Sequence, residues 1–215
     1  NMIFKDKKSP TTCIIGGSKI STKLGVITSL INKVDNLIIV GAMANNFIKF
    51  RGNKVGKSLV ESGSEKIIEE IYDKIDNSNC KITIPFDFAV SNSADGEAVF
   101  KDTNEINDNE IILDIGPQTI DRISEIIDIS KTVLWNGPAG YFENKNFSKG
   151  TISLAKKISD KTNMNSLISI VGGGDTISSI KNNRLNVNFT HLSTAGGAFL
   201  EYIEGKNLPG IEVLK

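Results

Sequence analysis

One sequence pattern limits the possible folds more than any other: a β-branched apolar run that halts at glycine and gives way to helical spacing. Its fullest instance is residues 166–181, SLISIVGGGDTISSIK. Leu167, Ile168, Ile170 and Val171 supply the run, Gly172, Gly173 and Gly174 interrupt it, and Ile177 and Ile180 follow three apart. A run so short and so apolar marks a strand buried on both faces, as in parallel sheets. Glycines in the turn let backbone N–H groups approach a ligand, and a helix start adds partial positive charge. The turn reads either as a phosphate site or as a tight strand-to-helix connection.

The same grammar recurs along the chain. Residues 11–15 end at Gly16 and Gly17, residues 37–40 at Gly41, residues 132–135 at Asn136-Gly137-Pro138, and residues 188–192 at the turn 193–197. Helical spacing fills most of the intervals. Leu24, Ile27, Leu30, Ile31 and Val34 share a face behind Ser18 or Ser21 as N-cap, and residues 45–50 follow. Ser64 is expected to cap a helix reaching Asp76, with Ile67, Ile68, Ile71 and Ile75 inward. Thr119 should open another, bearing Ile120, Ile123, Ile126 and Ile127, and Ser148 caps one bearing Ile152, Ala155 and Ile158. Residues 81–88 form the third strand candidate, with pairing expected to end at Pro85. Residues 94–109, polar and acidic with an Asp95-Gly96 turn, suit a small antiparallel excursion or a surface loop, and a short run at 110–114 follows. This alternation predicts an α/β fold, a three-layer, doubly wound (Rossmann-like), mainly parallel sheet. Its glycine turns gather on the carboxyl edge, where ligands bind.

Composition narrows the partners. The 215 residues fit one large α/β domain, and 39% hydrophobic content supports a real core. The 25 basic and 25 acidic residues balance, which argues against nucleic acid or an anionic membrane surface as partner. No apolar run approaches the ~20 residues of a membrane span. Cys13 and Cys80 lie in or beside apolar runs and read as small buried hydrophobes in a reducing compartment, without zinc-site spacing. There is no G-x-G-x-x-G, and RGNKVGKS (51–58) fails as a Walker A loop because Arg51 stands where glycine is required.

Several side chains carry two readings each. Lys19 and Lys23, four apart at a helix start, are either solvated or placed for an anion. Asp175 is either a helix N-cap or a hard oxygen ligand for magnesium. Glu143 is a surface carboxylate or part of a shaped loop in which Asn136 offers both donor and acceptor and Pro138 offers no donor. His191, within a strand and without a Ser or Cys partner motif, reads as packed rather than catalytic.

Taken in order, GGSKISTK (16–23), IIVGAMANNF (38–47), GKSLVE (56–61), LDIGP (113–117), LWNGPAGYFE (134–143), GTISLA (150–155), VGGGDT (171–176) and HLSTAGGAFLEYIEGKNLPGI (191–211) closely resemble the C-terminal half of phosphoglycerate kinases. The resemblance covers nearly the whole chain from about Pro10. It implies reversible phosphoryl transfer between 1,3-bisphosphoglycerate and ADP with Mg2+, in which ADP/ATP is the substrate. Lys23 would hold the α and β phosphates, and Lys19 would stabilise the transferring group. The amides of Gly172, Gly173, Gly174, Gly196 and Gly197 would surround that group, with Gly174 and Gly197 closest to the chemistry. Asp175 would carry magnesium, Thr176 and Asn136 would contact phosphates, Glu143 would take the ribose, and Gly17 and Pro138 would line the nucleotide site.

The family usually has glycine where this chain has Ala42, Ile112 and Ala195; the first two border the adenine and would narrow its slot. The resemblance also implies a layout. Residues 1–10 would be the remnant of an interdomain connection, residues 11–207 the nucleotide-binding domain, and residues 208–215 a tail returning to an absent N-terminal domain that binds 3-phosphoglycerate. On that view the chain is a monomeric, cytoplasmic (or organellar) protein that binds adenine nucleotide without turnover. The alternative is a non-catalytic nucleotide-binding or regulatory module derived from the same half.

Overall fold

In the computed structural model, which describes residues 8–194, 198, 201 and 204–206, the alternation is realised in full. The chain runs β1 (Thr11–Ile15), α1 (Leu24–Ile31), β2 (Asn36–Ile39), α2 (Ala44–Phe50), α3 (Glu65–Asp76) and β3 (Lys81–Thr83). It continues through β4 (Asp87–Ser91), β5 (Val99–Asp102), β6 (Ile111–Ile115) and α4 (Pro117–Ile129). β7 (Thr132–Asn136), α5 (Lys149–Asn163), β8 (Ile168–Gly172), α6 (Gly174–Asn182) and β9 (His191–Ser193) complete it.

The main sheet has the order β3-β2-β1-β7-β8-β9, and every neighbouring pair is parallel. Alternate residues of each strand feed opposite layers, as a period of two demands. Cys13, Ile15, Leu37, Ile39, Leu134 and Ile170 pack with α1, α2 and α3. Ile14, Ile38, Val133, Trp135 and Val171 pack with α4, α5 and α6. Each such buried apolar side chain contributes about 1.5–3 kcal/mol, and this double burial is why β1, β2, β7 and β8 carry apolar residues on both faces. The winding reverses between β1 and β7, which leaves a crevice outside their carboxyl ends.

A second sheet, β5-β4-β6, is antiparallel and stands beside that edge. It realises the small antiparallel excursion and divides the 81–88 run, which is not one strand. β3 stops at Thr83, and after Pro85 the chain re-enters as β4 in the other sheet. Proline cannot donate to a ladder, so pairing breaks there and the direction changes.

Three local expectations are corrected. Neither Ser18 nor Ser21 caps α1: a 3₁₀ turn at Ser21–Lys23 precedes it, and the Ser21 hydroxyl and amide donate to Glu61. Ser64 and Ser148 stand at N-cap positions but make no side-chain capping bond. His191 is exposed rather than packed, because β9 is three residues long and pairs with β8 alone among the described strands.

Candidate functional site

The site begins with how tightly three strand-end turns press together. Gly16 N donates to Asn136 O at 2.8 Å, Gly41 N to Ala139 O at 3.1 Å and Met43 N to Gly17 O at 2.9 Å. A Cβ on Gly16 would fall 2.2 Å from Pro138 O, and one on Gly137 would fall 2.4 Å from Gly16. Gly137 also has φ +97°. Backbone contact this close admits only glycine.

The starts of the three helices packed on one face differ in a telling way. On α4, Gln118 N and Thr119 N donate to the Asp87 carboxylate at 2.9 and 2.7 Å. On α5, Gly150 N donates to Asp114 Oδ2 at 2.7 Å, while Ile115 N donates to Oδ1 at 2.9 Å. Both carboxylates come from the antiparallel sheet, and the one on α5 does what Ser148 was expected to do. On α6, Gly173 stands at the N-cap with no side chain to offer, so the first amides find no acceptor among the described residues. Asp175 lies in the first turn and is exposed; the N-cap reading of it does not hold.

Around that open helix start lies a polar bowl of about 350 Å³, walled by Lys19, Lys23, Asn136, Gly173, Gly174, Asp175 and Thr176. Lys23 Nζ donates to Asn136 Oδ1 at 2.9 Å. Burial holds its ammonium below the ordinary lysine range, and the Asp175 carboxylate works in the opposite direction. With Oδ1 engaged, Asn136 Nδ2 is left buried and without a partner. A buried donor left unmade is costly; the open α6 amides and the two lysines suit the bowl to an anionic oxygen. Thr176 is wholly buried and its hydroxyl accepts from Gly137 N at 2.8 Å, so its side chain braces the β7 turn.

An apolar slot of about 320 Å³ adjoins the bowl and shares Gly17, Ser18, Pro138 and Asp175 with it. Ala42, Leu59, Phe88, Ile112 and Ala139 line it, together with the exposed Glu143. Ala42 and Ile112 occupy the wall as expected, yet the slot stays open with both side chains in place. Slot and bowl together fall in the size range of small-ligand sites.

The sequence-derived candidates Gly17, Lys19, Lys23, Ala42, Ile112, Asn136, Pro138, Glu143, Gly173, Gly174, Asp175 and Thr176 thus meet in one cleft. Gly172 does not line it; it is buried at the end of β8. Ala195, Gly196 and Gly197 lie outside the described residues. Asn45, Leu59, Phe88 and Asp114 were missed, although all four line the slot. Asp114 carried a signal within LDIGP, whereas nothing local marks Leu59 or Phe88 as neighbours of Gly41.

An open, doubly wound sheet with a two-part cleft at its reversal point places the chain among the doubly wound α/β proteins, a class whose ligand crevice lies outside the carboxyl ends of the strands. The phosphoglycerate kinase family model matches residues 1–206. The phosphoglycerate kinase of Orientia tsutsugamushi (strain Boryong) is 46% identical over 215 residues, covering 99% of this chain and 53% of that protein. That of Wolbachia pipientis wMel is 44% identical over 211 residues, covering 97% and 53%. The solved phosphoglycerate kinase from Coxiella burnetii superposes with a TM-score of 0.92 at 37% identity, covering 100% of this chain and 55% of its own. The crystal structure from Pyrococcus horikoshii OT3 gives 0.81 at 29% identity, covering 99% and 53%. The chain belongs to the phosphoglycerate kinase family, and it spans about half the length of the curated relatives it matches.

Proposed function

We propose that the chain is the nucleotide-holding half of a phosphotransferase that moves a phosphoryl group between 1,3-bisphosphoglycerate and ADP, giving 3-phosphoglycerate and ATP. The observation that carries this is the unsatisfied start of α6 beside the orphaned Asn136 Nδ2, where α4 and α5 have carboxylates. A polyphosphate tail supplies the missing acceptors, and the apolar slot next to it takes a flat base.

In this reading Lys23 and the α6 amides bind the phosphates of the nucleotide. Lys19, exposed on the bowl's wall, offsets charge on the group in transfer. Glu143 sits where the slot's lining can meet a ribose. The β-phosphate oxygen of ADP is already ionised, so the half described here needs no general base. It forms the new P–O bond as the bond to the acyl oxygen breaks, and the departing carboxylate keeps the electron pair. Positioning and electrostatic stabilisation therefore carry the catalysis.

The residues fit a magnesium ion that arrives with the nucleotide. Asp175 is exposed in the bowl and has no hydrogen-bond partner among the described residues. Among the described residues no cluster of three or more His, Cys, Asp or Glu makes a self-sufficient metal site. Magnesium is commonly held by one or two carboxylates plus substrate phosphates, and it would neutralise phosphate charge. The phosphoglycerate site we assign to the other half of the relatives' length, so the chain by itself binds nucleotide without turnover.

Calorimetric titration with MgADP tests this. The chain should bind, and Lys23→Met and Asp175→Asn should each weaken binding by about tenfold or more, the worth of one charge-assisted contact. No binding by the parent chain, or undiminished affinity in both variants, overturns the reading.

A further inference from the structure

Leu59 and Glu61 stand on the segment between α2 and α3, and two adjacent asparagines of α2 hold it. Asn45 Nδ2 donates to Leu59 O at 3.1 Å, and Asn46 Oδ1 accepts from Glu61 N at 2.7 Å. Asn46 is buried and its other end is fixed too, Nδ2 donating to Met43 O at 3.1 Å. From this anchored backbone the Glu61 carboxylate reaches 40 positions back along the chain: Ser21 N donates to Oε2 at 3.1 Å, and the Ser21 hydroxyl donates to Oε1. These bonds, the hydroxyl's above all, hold the Glu61 carboxyl below the ordinary glutamate range, and the Lys19 charge adds to the pull.

Ser21 opens the 3₁₀ turn Ser21–Lys23, where Ile20 at the N-cap has no polar side chain to offer. Four residues earlier, Gly17 O accepts from Met43 N at 2.9 Å. Lys19 therefore lies on a span fastened at both ends to one block, α2 and the segment after it. Lys23 closes the turn, its N donating to Ile20 O at 2.9 Å. Glu61 lines neither cavity, whereas Lys19 and Lys23 wall the bowl and Leu59 lines the slot. A cation presented by chain already held in place binds its anion at less cost in ordering.

We propose that Glu61 is a positioning residue for the bowl: by holding Ser21 it sets the span 17–23 so that Lys19 and Lys23 meet the phosphates, and it ties that span to the segment carrying the slot's Leu59. This rests on the nucleotide reading above. Glu61 acts through Ser21 and touches neither nucleotide nor metal.

The test titrates MgADP, MgATP and adenosine into the parent chain, Glu61→Ala and Glu61→Gln, with calorimetry for the two nucleotides and NMR shifts for adenosine. Adenosine reads the slot, and the phosphates add the bowl. Glu61→Ala should weaken MgADP and MgATP by about fivefold or more, the scale of coupling within one hydrogen-bond network, and leave adenosine within about twofold. Glu61→Gln keeps an acceptor for Ser21 and should fall between the parent and Glu61→Ala. Equal losses for adenosine and MgADP overturn the inference, since Glu61 would then only brace the Leu59 segment. Tighter MgADP in both variants overturns it as well, because the carboxylate would then act only as a repelling charge near the bowl. Undiminished MgADP affinity in Glu61→Ala, with Lys23→Met still weakened, removes the inference and leaves the nucleotide site standing. Should Glu61→Ala fail to fold, Glu61→Gln, of the same shape, carries the comparison: it must weaken MgADP and spare adenosine. No binding of MgADP by the parent brings down both readings.

Discussion

The bowl and the slot share four residues but are made of different material. The bowl is backbone and charge: strand-end turns of one parallel sheet, an open helix start and two lysines. The slot is a wall of side chains, many of them carried in by β4 and β6 of the separate antiparallel sheet. Asp114 lines the slot alone and fastens the antiparallel sheet to a helix layer of the parallel one. Its carboxylate ties β6 to the start of α5, and a Cβ on Gly140 would fall 2.3 Å from it. Backbone that touches backbone tolerates no added atom, whereas a side-chain wall can shift.

Substitutions sharpen that contrast, and the largest effect belongs to the turns. Gly137→Ala would place its methyl 2.4 Å from Gly16 at φ +97°. We expect a loss of about 3 kcal/mol or more in urea unfolding, the scale of strain joined to a backbone clash. Unchanged stability would mean that the turns do not meet backbone to backbone.

The joint between β6 and α5 should respond to pH. Burial raises the Asp114 carboxyl from 3.8 to about 7, against the lowering pull of the Gly150 and Ile115 amides and of Lys149. The folded chain then keeps a proton that the unfolded chain gives up. Its contribution is full below about pH 4, is lost as pH rises toward 7, and is level beyond. The slope is at most about 1.4 kcal/mol per pH unit. Denaturation of the parent and Asp114→Asn at pH 5 to 8 should show the parent losing ground to the variant as pH rises; parallel curves would refute it.

The smallest stability effect is expected at Gly174. A Cβ there meets nothing within 4 Å, and its φ is not positive. Gly174→Ala should alter stability by no more than about 0.5 kcal/mol, possession of a helix-favouring residue offsetting little else. Its methyl enters the bowl, so MgADP affinity should fall. A stable variant with full affinity would place the phosphates elsewhere.

The contrast also separates what could be read from the sequence. The runs ending at Gly16, Gly41, Asn136 and Gly172 became β1, β2, β7 and β8, because strands buried on both faces place apolar residues at neighbouring positions rather than alternate ones. Lys23, Asn136 and Asp175 were legible for a related reason: they lie within a few residues of those ends. The helix caps were not. Asp87 and Asp114 serve helices from another sheet, the second in place of Ser148, and no short-range pattern announces a partner 31 or 36 positions away. Asn45 was hidden likewise, since its unmet oxygen is visible only once Leu59 O has claimed the other end of the amide.

By itself, then, the sequence determined a doubly wound parallel sheet and the rim on which its glycine turns collect, because periodicity and turn chemistry act over a few residues. Tertiary structure alone decided which helix start remains open, which carboxylate ties one sheet to the other's helices and which asparagine is left wanting a donor. Those outcomes depend on groups distant in sequence competing for the same hydrogen bonds, and that competition is settled only when the layers close.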